Sequence, residues 1–298
     1  MLLERKAELF LVFIVAIWGL TFPLIGNAVK TIDPIAFVFF RFLLATILIF
    51  PFVIKQLAKT NKSIIFYSIV LGFCNLIVYV TQSEGLQTIG PNESAFITSV
   101  NILFVPVLSL IFMLDRPKAI DFVSAFLGFF GLYVLMGANI TGLNHGELLT
   151  LLCAIFVALS IVLIQLCSRK YKESFLLFAF YQILFTTVFT FFFMPKINLP
   201  TLYNPGVMLS ILFCAIFATS LAMILQVKFQ GYTTSTKVAL IFSLEPFFVI
   251  LFTWMLFKKP PTDQTLLGGG IIIFSILIND MWFKLRYFLN GISNFGQQ

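Results

Sequence analysis

The residues able to do chemistry in this 298-residue chain are few, and they stand in apolar surroundings. Glu245 lies in a hydrophobic run and is followed by Pro246. A carboxyl there can bind a cationic group or take up a proton as a coupling ion. The proline withholds a backbone donor and leaves a carbonyl free for a ligand or a hinge. Arg41, among bulky apolar residues, can hold a substrate carboxylate; the alternative, which we expect, is a charge that staples helix ends or fixes an outer gate. Asn75, Tyr79 and Gln82 are spaced four and then three residues apart, which puts them on one helix face. Such a stripe either hydrogen-bonds a neighbouring helix or lines a cavity, and we read it as cavity. Glu84, a second gating or structural charge, and Gln87 extend the polarity outward. Thr98 sits one turn before Asn101, and Trp18 and Thr21 share a face. Ser160, Gln165 and Tyr181 carry weaker signals.

Equally informative is the chemistry that is missing. An intramembrane enzyme needs paired carboxylates, a Ser-His pair or a metal cluster, and no such constellation occurs. The single histidine, His145, lies in a short stretch beside Gly146. Cys74, Cys153, Cys167 and Cys214 lack Cys-x-x-Cys spacing and read as packing residues. No phosphate-binding glycine loop is present, since Gly268 to Gly270 open a hydrophobic run. We therefore expect no enzyme, no ATP-driven pump, no metal and no cofactor.

What positions these groups is a membrane scaffold. The chain is 60% hydrophobic and 10% charged, with a mean hydropathy of +1.05, whereas an ordinary soluble domain carries roughly 25% charged residues. Apolar runs punctuated by Pro, Gly and charge give spans near residues 8–28, 35–54, 64–86, 94–114 and 120–138, then near 147–168, 174–194, 207–228, 236–257 and 265–286. The first run is too long for a signal-peptide core and is expected to stay in the membrane. The net charge of +7 is not a nucleic-acid footprint, because the basic residues sit in short loops. Most, including Arg5, Lys6, Lys55, Lys59, Arg169 and Lys170, fall on alternate sides from Lys30, Lys196, Lys258 and Lys259, which places both termini in the cytoplasm. Short loops fit a bacterial inner membrane.

Sliding the chain over itself by 144 positions sets Ala95, Ile97, Ser99, Phe104, Val105 and Pro117 on Ala239, Ile241, Ser243, Phe248, Val249 and Pro261. The same offset puts Ser124 and Ala125 on Gly268 and Gly269, and Asn101 on Glu245. A duplicated unit of five spans enters the membrane from opposite sides, and such inverted repeats hold substrates near the midplane between the halves.

Several motifs carry a resemblance: Trp18-Gly19-Leu20-Thr21-Phe22-Pro23, Phe40-Arg41-Phe42-Leu43-Leu44-Ala45, Gly85-Leu86-Gln87, the stretch from Asn101 to Pro106, Asp115-Arg116-Pro117, Leu244-Glu245-Pro246 and the glycines from Gly268 to Gly270. With these the chain resembles the drug/metabolite transporter superfamily, in its branch of two EamA repeats, over nearly its whole length. It departs where the family usually has an acid after the ninth helix and this chain has Lys258 and Lys259. The resemblance implies an all-α polytopic membrane protein whose ten transmembrane helices form two inverted five-helix repeats around a central cavity: residues 1–140, residues 141–288, and a cytoplasmic tail, 289–298. It implies a carrier of small metabolites. From the residues we expect Trp18, Thr21, Asn75, Tyr79, Gln82, Thr98, Asn101 and Glu245 to bind substrate. One acid, a base and several amides suit a zwitterion or neutral polar solute better than a multivalent anion. The expected partners are that small molecule, a coupling proton or exchange substrate, and membrane lipid, with no nucleic acid. A channel or a non-transporting scaffold is the alternative reading.

Overall fold

The computed structural model describes residues 2–112, 117–135, 144–195, 199–258, 260 and 262–295; for 199, 257, 265, 279–280 and 283–295 it describes the backbone alone. Asp115 and Arg116 of the motif above, most of the bridge between the two halves, Lys196, Lys259 and the end of the tail lie outside these residues.

Among the described residues the chain is helical throughout, as a backbone in lipid must be when it cannot close a barrel. Eight helical stretches are long and apolar enough to cross a membrane: Leu2–Ala28, Pro34–Lys59, Lys62–Gly85, Pro91–Ile111, His145–Lys170, Lys172–Phe192, Pro205–Tyr232 and Ser235–Leu256. Two further apolar helices, Ala119–Leu135 and Leu266–Ile278, are shorter. Their starts follow local rules. Asp33 accepts hydrogen bonds from the N–H groups of Ile35 (2.8 Å) and Ala36 (3.1 Å) to cap α2 (Pro34–Val53), with Pro34 at its first turn. Asn144 and Glu147 close a reciprocal capping box on α7 (His145–Lys170).

Three of the expected spans are not plain α-helices. The fourth is divided at Val100 into α4 (Pro91–Ser99) and α5 (Asn101–Ile111). The ninth is divided at Ser243 and Leu244 into α12 (Ser235–Phe242) and α13 (Glu245–Phe257). Local chemistry accounts for both breaks: Pro246 has no N–H for the carbonyl of Phe242, and the side-chain amide of Asn101 donates to the carbonyl of Thr98 (2.7 Å). The eighth follows the short helix α9 (Leu199–Leu202) and runs from α10 (Pro205–Phe213) through a π-helical turn, Cys214–Leu221, into α11 (Ala222–Phe229).

Packing brings distant helices together. The helix α1 (Leu2–Ala28) lies along α12 and α13, while α7 lies along α4 and α5. The helix α3 (Lys62–Gly85) packs on α7 and on α8 (Phe175–Phe192), and α2 packs on α8. The tightest helix pairing joins α6 (Ala119–Leu135) to α14 (Asp263–Phe295), where Gly131 and Gly268 let the backbones meet. Gly19 does the same between α1 and α13: a Cβ there would lie 2.7 Å from the Cβ of Phe248. Many phenylalanines, among them Phe52, Phe66, Phe126 and Phe192, face outward, as lipid-facing side chains do. All four cysteines are buried and free.

The two ends of the bundle carry different contacts. At the end holding the start of α1, Lys237 pairs with Glu8 and lies 3.9 Å from Glu4, Ser109 and Ser235 share a 2.6 Å hydrogen bond, and Phe10 stacks on Phe229 at 4.3 Å. At the opposite end, the side-chain amide of Gln87 donates to the carbonyl of Val29 (3.1 Å), and the carboxyls of Glu93 and Glu147 share a hydrogen bond.

Candidate functional site

Between these ends lies a cavity enclosing about 710 Å³, its open mouth included. Its walls come from α1, α2, α3, α4, α5, α7, α11, α12 and α13, and the two divided helices meet it at their breaks. Asn101 and Glu245 are each the first residue of the second segment, so the breaks set both side chains on the wall.

The structure brings all eight expected binding residues together here. On α1, the indole N–H of Trp18 donates to the carbonyl of Ala218 (2.9 Å), and the ring meets Phe242 edge-on at 5.1 Å. Thr21 donates back to the carbonyl of Trp18 (2.6 Å). Asn75, Tyr79 and Gln82 present their face of α3 to the cavity, and Thr98 joins Asn101 from the other side of the α4 break. Two amide atoms, Asn75 Nδ2 and Asn101 Oδ1, are buried with no hydrogen-bond partner among the described residues. In a low-dielectric interior such atoms are costly unless a ligand or water meets them. The Glu245 carboxyl lines the cavity at 8% exposure, and no hydrogen bond or ion pair reaches it among the described residues.

Arg41 also lies on this wall rather than at a helix end. It is 1% exposed, its Nε donates to the Thr219 hydroxyl (2.7 Å), and its guanidinium sits 4.5 Å from the centre of the Tyr79 ring. Thr219 and Ala218 both belong to the π-helical turn, a type of irregularity common at functional sites. That turn thus fixes two cavity residues on two other helices, Arg41 and Trp18.

Glu84 lies at the end of α3 and does not line the cavity. Gln165 donates to the carbonyl of Thr233 (2.6 Å), and Tyr181 shares a hydrogen bond with Thr60 (2.9 Å), so both tie their helices to connecting segments. Ser160 is on the wall. Sequence reasoning passed over Gln226 and Met223 on α11 and Phe242 on α12, which complete it with apolar side chains of α7. The 144-residue offset holds the signal for them: it sets Thr219, Met223 and Gln226 on Asn75, Tyr79 and Gln82, and Phe242 on Thr98. The polar stripe of α3 has a counterpart on the eighth span.

A polytopic helical membrane protein with a polar cavity and no metal-binding cluster among the described residues is the class that this arrangement defines. The sequence matches the EamA-like transporter family twice, over residues 5–137 and 144–279, and the chain belongs to that family, within the drug/metabolite transporter superfamily. An uncharacterised transporter of Archaeoglobus fulgidus is 31% identical over 274 residues, covering 91% of this chain and 85% of the relative. A Rickettsia felis protein named as an S-adenosylmethionine uptake transporter is 27% identical over 241 residues, 79% of each chain. The uncharacterised transporter YvbV of Bacillus subtilis is 26% identical over 284 residues, 92% of each. A solved crystal structure shares the fold at a TM-score of 0.73 and 14% identity, covering 94% of this chain and 98% of the other.

Proposed function

We propose that this protein is a secondary carrier that moves a small zwitterionic or neutral polar metabolite by alternating access, with Glu245 receiving the cationic end of the solute. The observation that carries this is the Glu245 carboxyl, buried on the cavity wall with no partner among the described residues. A membrane protein keeps a buried acid of this kind at a cost of several kcal/mol by insertion scales, which a cationic ligand or a coupling proton offsets. The eight binding candidates act as one site: Trp18 and Tyr79 offer aromatic faces, and Thr21, Asn75, Gln82, Thr98 and Asn101 offer hydrogen bonds.

The mechanism rests on two inverted five-helix repeats, residues 1–140 and 141–288, ten crossings in all, with both termini in the cytoplasm of a bacterial cell and the chain in its inner membrane. Three features support that frame. The family matches the chain twice. The helix breaks fall on equivalent residues, Asn101 and Glu245. The packing of α1 on α12 and α13 is repeated by α7 on α4 and α5. Inverted units of similar energy can exchange outward-open and inward-open shapes around a fixed site. Direction follows the gradients, so the fold serves import and export alike.

The test is counterflow into liposomes preloaded with a pool of amino acids, neutral polar metabolites and S-adenosylmethionine, the solute named for the Rickettsia relative. Saturable counterflow of a labelled pool member identifies a carrier and its substrate. Glu245→Gln, folded by its melting curve, is expected to lose counterflow by about 100-fold, the upper worth of a charge-assisted hydrogen bond. Flux without saturation or counterflow would indicate a channel, and a silent wild type would indicate a scaffold.

A further inference from the structure

Resting on the carrier reading above, we propose that Arg41 is the carboxylate anchor of the site, so that the solute is a zwitterion held with its carboxylate on Arg41 and its cationic group toward Glu245. The geometry is that of a built anion site. Arg41 is 1% exposed, yet no carboxylate pairs with it among the described residues. Its Nε is taken by Thr219 (2.7 Å), and Tyr79 covers one face of its plane at 4.5 Å. These contacts fix the orientation of the guanidinium and leave the donors of its two terminal nitrogens for a ligand. A buried guanidinium without an acid is costly, and an aromatic face repays only part of that. The planar fork matches a carboxylate through two parallel hydrogen bonds.

The wall limits what else could bind. Among the described residues no other cationic side chain lines the cavity, and Glu245 lines it too. A doubly charged phosphate would find one base and one opposing acid. A monocarboxylate carrying an ammonium or sulfonium group satisfies both charges at once. Tyr79 and Thr219 are positioning residues in this scheme, acting through Arg41.

The experiment uses the purified full-length protein and a panel of the twenty protein L-amino acids and S-adenosylmethionine, each compared with its carboxamide, by thermal stabilisation and by competition in counterflow. Wild type is expected to prefer the carboxylate form of its solute over the amide by about 10-fold to 100-fold, the range for hydrogen bonds to charged groups. Arg41→Gln should collapse that preference to near unity, whereas Glu245→Gln should retain it while weakening binding of both forms. Arg41→Lys, which keeps the charge but not the fork, should recover part of it. Thr219→Val serves as a second variant should Arg41→Gln fail to fold, and is expected to lower the preference with the charge still present. An unchanged carboxylate preference in folded Arg41→Gln, or in Thr219→Val where Arg41→Gln does not fold, would overturn the anchor and leave the carrier intact. Counterflow confined to neutral solutes would also overturn the anchor alone. Absence of both stabilisation and counterflow across the whole pool would overturn the carrier reading and the anchor with it.

Discussion

The divided helices α4–α5 and α12–α13 share a shape and differ in where they carry charge. Both break at equivalent residues and carry the first residue of their second segment to the cavity. In the first, that residue is Asn101, which folds its amide onto the carbonyl of Thr98; in the second it is Glu245, which makes no such bond. The contrast continues at their far ends, where the offset sets Lys237 on Glu93. Lys237 pairs with Glu8 at one end of the bundle, while Glu93 shares a hydrogen bond with Glu147 at the other. Repetition has kept the backbone geometry and exchanged the chemistry. Under the carrier reading, a cavity with two like walls would accept a solute in either sense, and one with an amide on one wall and an acid on another would give it a single orientation.

The strongest way to break this comparison is to exchange the walls. Asn101→Glu combined with Glu245→Gln keeps the net charge and moves the acid to the other side. We expect counterflow to stay as low as in Glu245→Gln alone, about 100-fold down; recovery to within a few-fold of wild type would show that the walls are interchangeable. A smaller effect is expected at the Lys237 end. Removing one partner of a partly screened ion pair is worth about 1 to 2 kcal/mol, so Lys237→Gln should shift the balance toward opening of that end by about 5-fold to 30-fold. Hydrogen exchange of the first turns of α1 and α12 reads this directly, and unchanged protection would remove Lys237 from the closure.

The smallest effect is expected at the acid pair, where the carboxyls of Glu93 and Glu147 meet. Glu93→Gln replaces one carboxyl with an amide that can donate to Glu147. Protection of the first turns of α4 and α7 should rise by about a few-fold in the variant. Unchanged protection would mean that the pair does not contribute to that end.

Much of this site is legible from spacing. The intervals among Asn75, Tyr79 and Gln82 define one face of one helix without any knowledge of its neighbours. Glu245 is conspicuous because a charge in an apolar run is rare. The breaks at Val100 and Ser243 are less legible, since an apolar pattern continues across a turn that loses only a backbone bond or two. The reading of Arg41 as a gate arose from its immediate neighbours, which are bulky and apolar; its actual partners, Thr219 and Tyr79, come from the π-helical turn and from α3. Gln226 escaped because Lys228 and Gln230 follow it, so it reads as part of the polar end of its span. Only its relation to Gln82 through the repeat marks it, and that relation uses both halves of the chain.

The four buried cysteines have a practical consequence. In this conformation a membrane-impermeant maleimide meets no accessible native thiol among the described residues, so the natural chain already provides a dark background for labelling. A single cysteine introduced at a cavity residue can be followed without first stripping out the native ones. Cys153 adds an internal reporter, because its thiol lies against Thr98 on α4 and Thr81 on α3. Motion that parts α7 from those helices would uncover it, and the protein would record its own opening as a chemical mark.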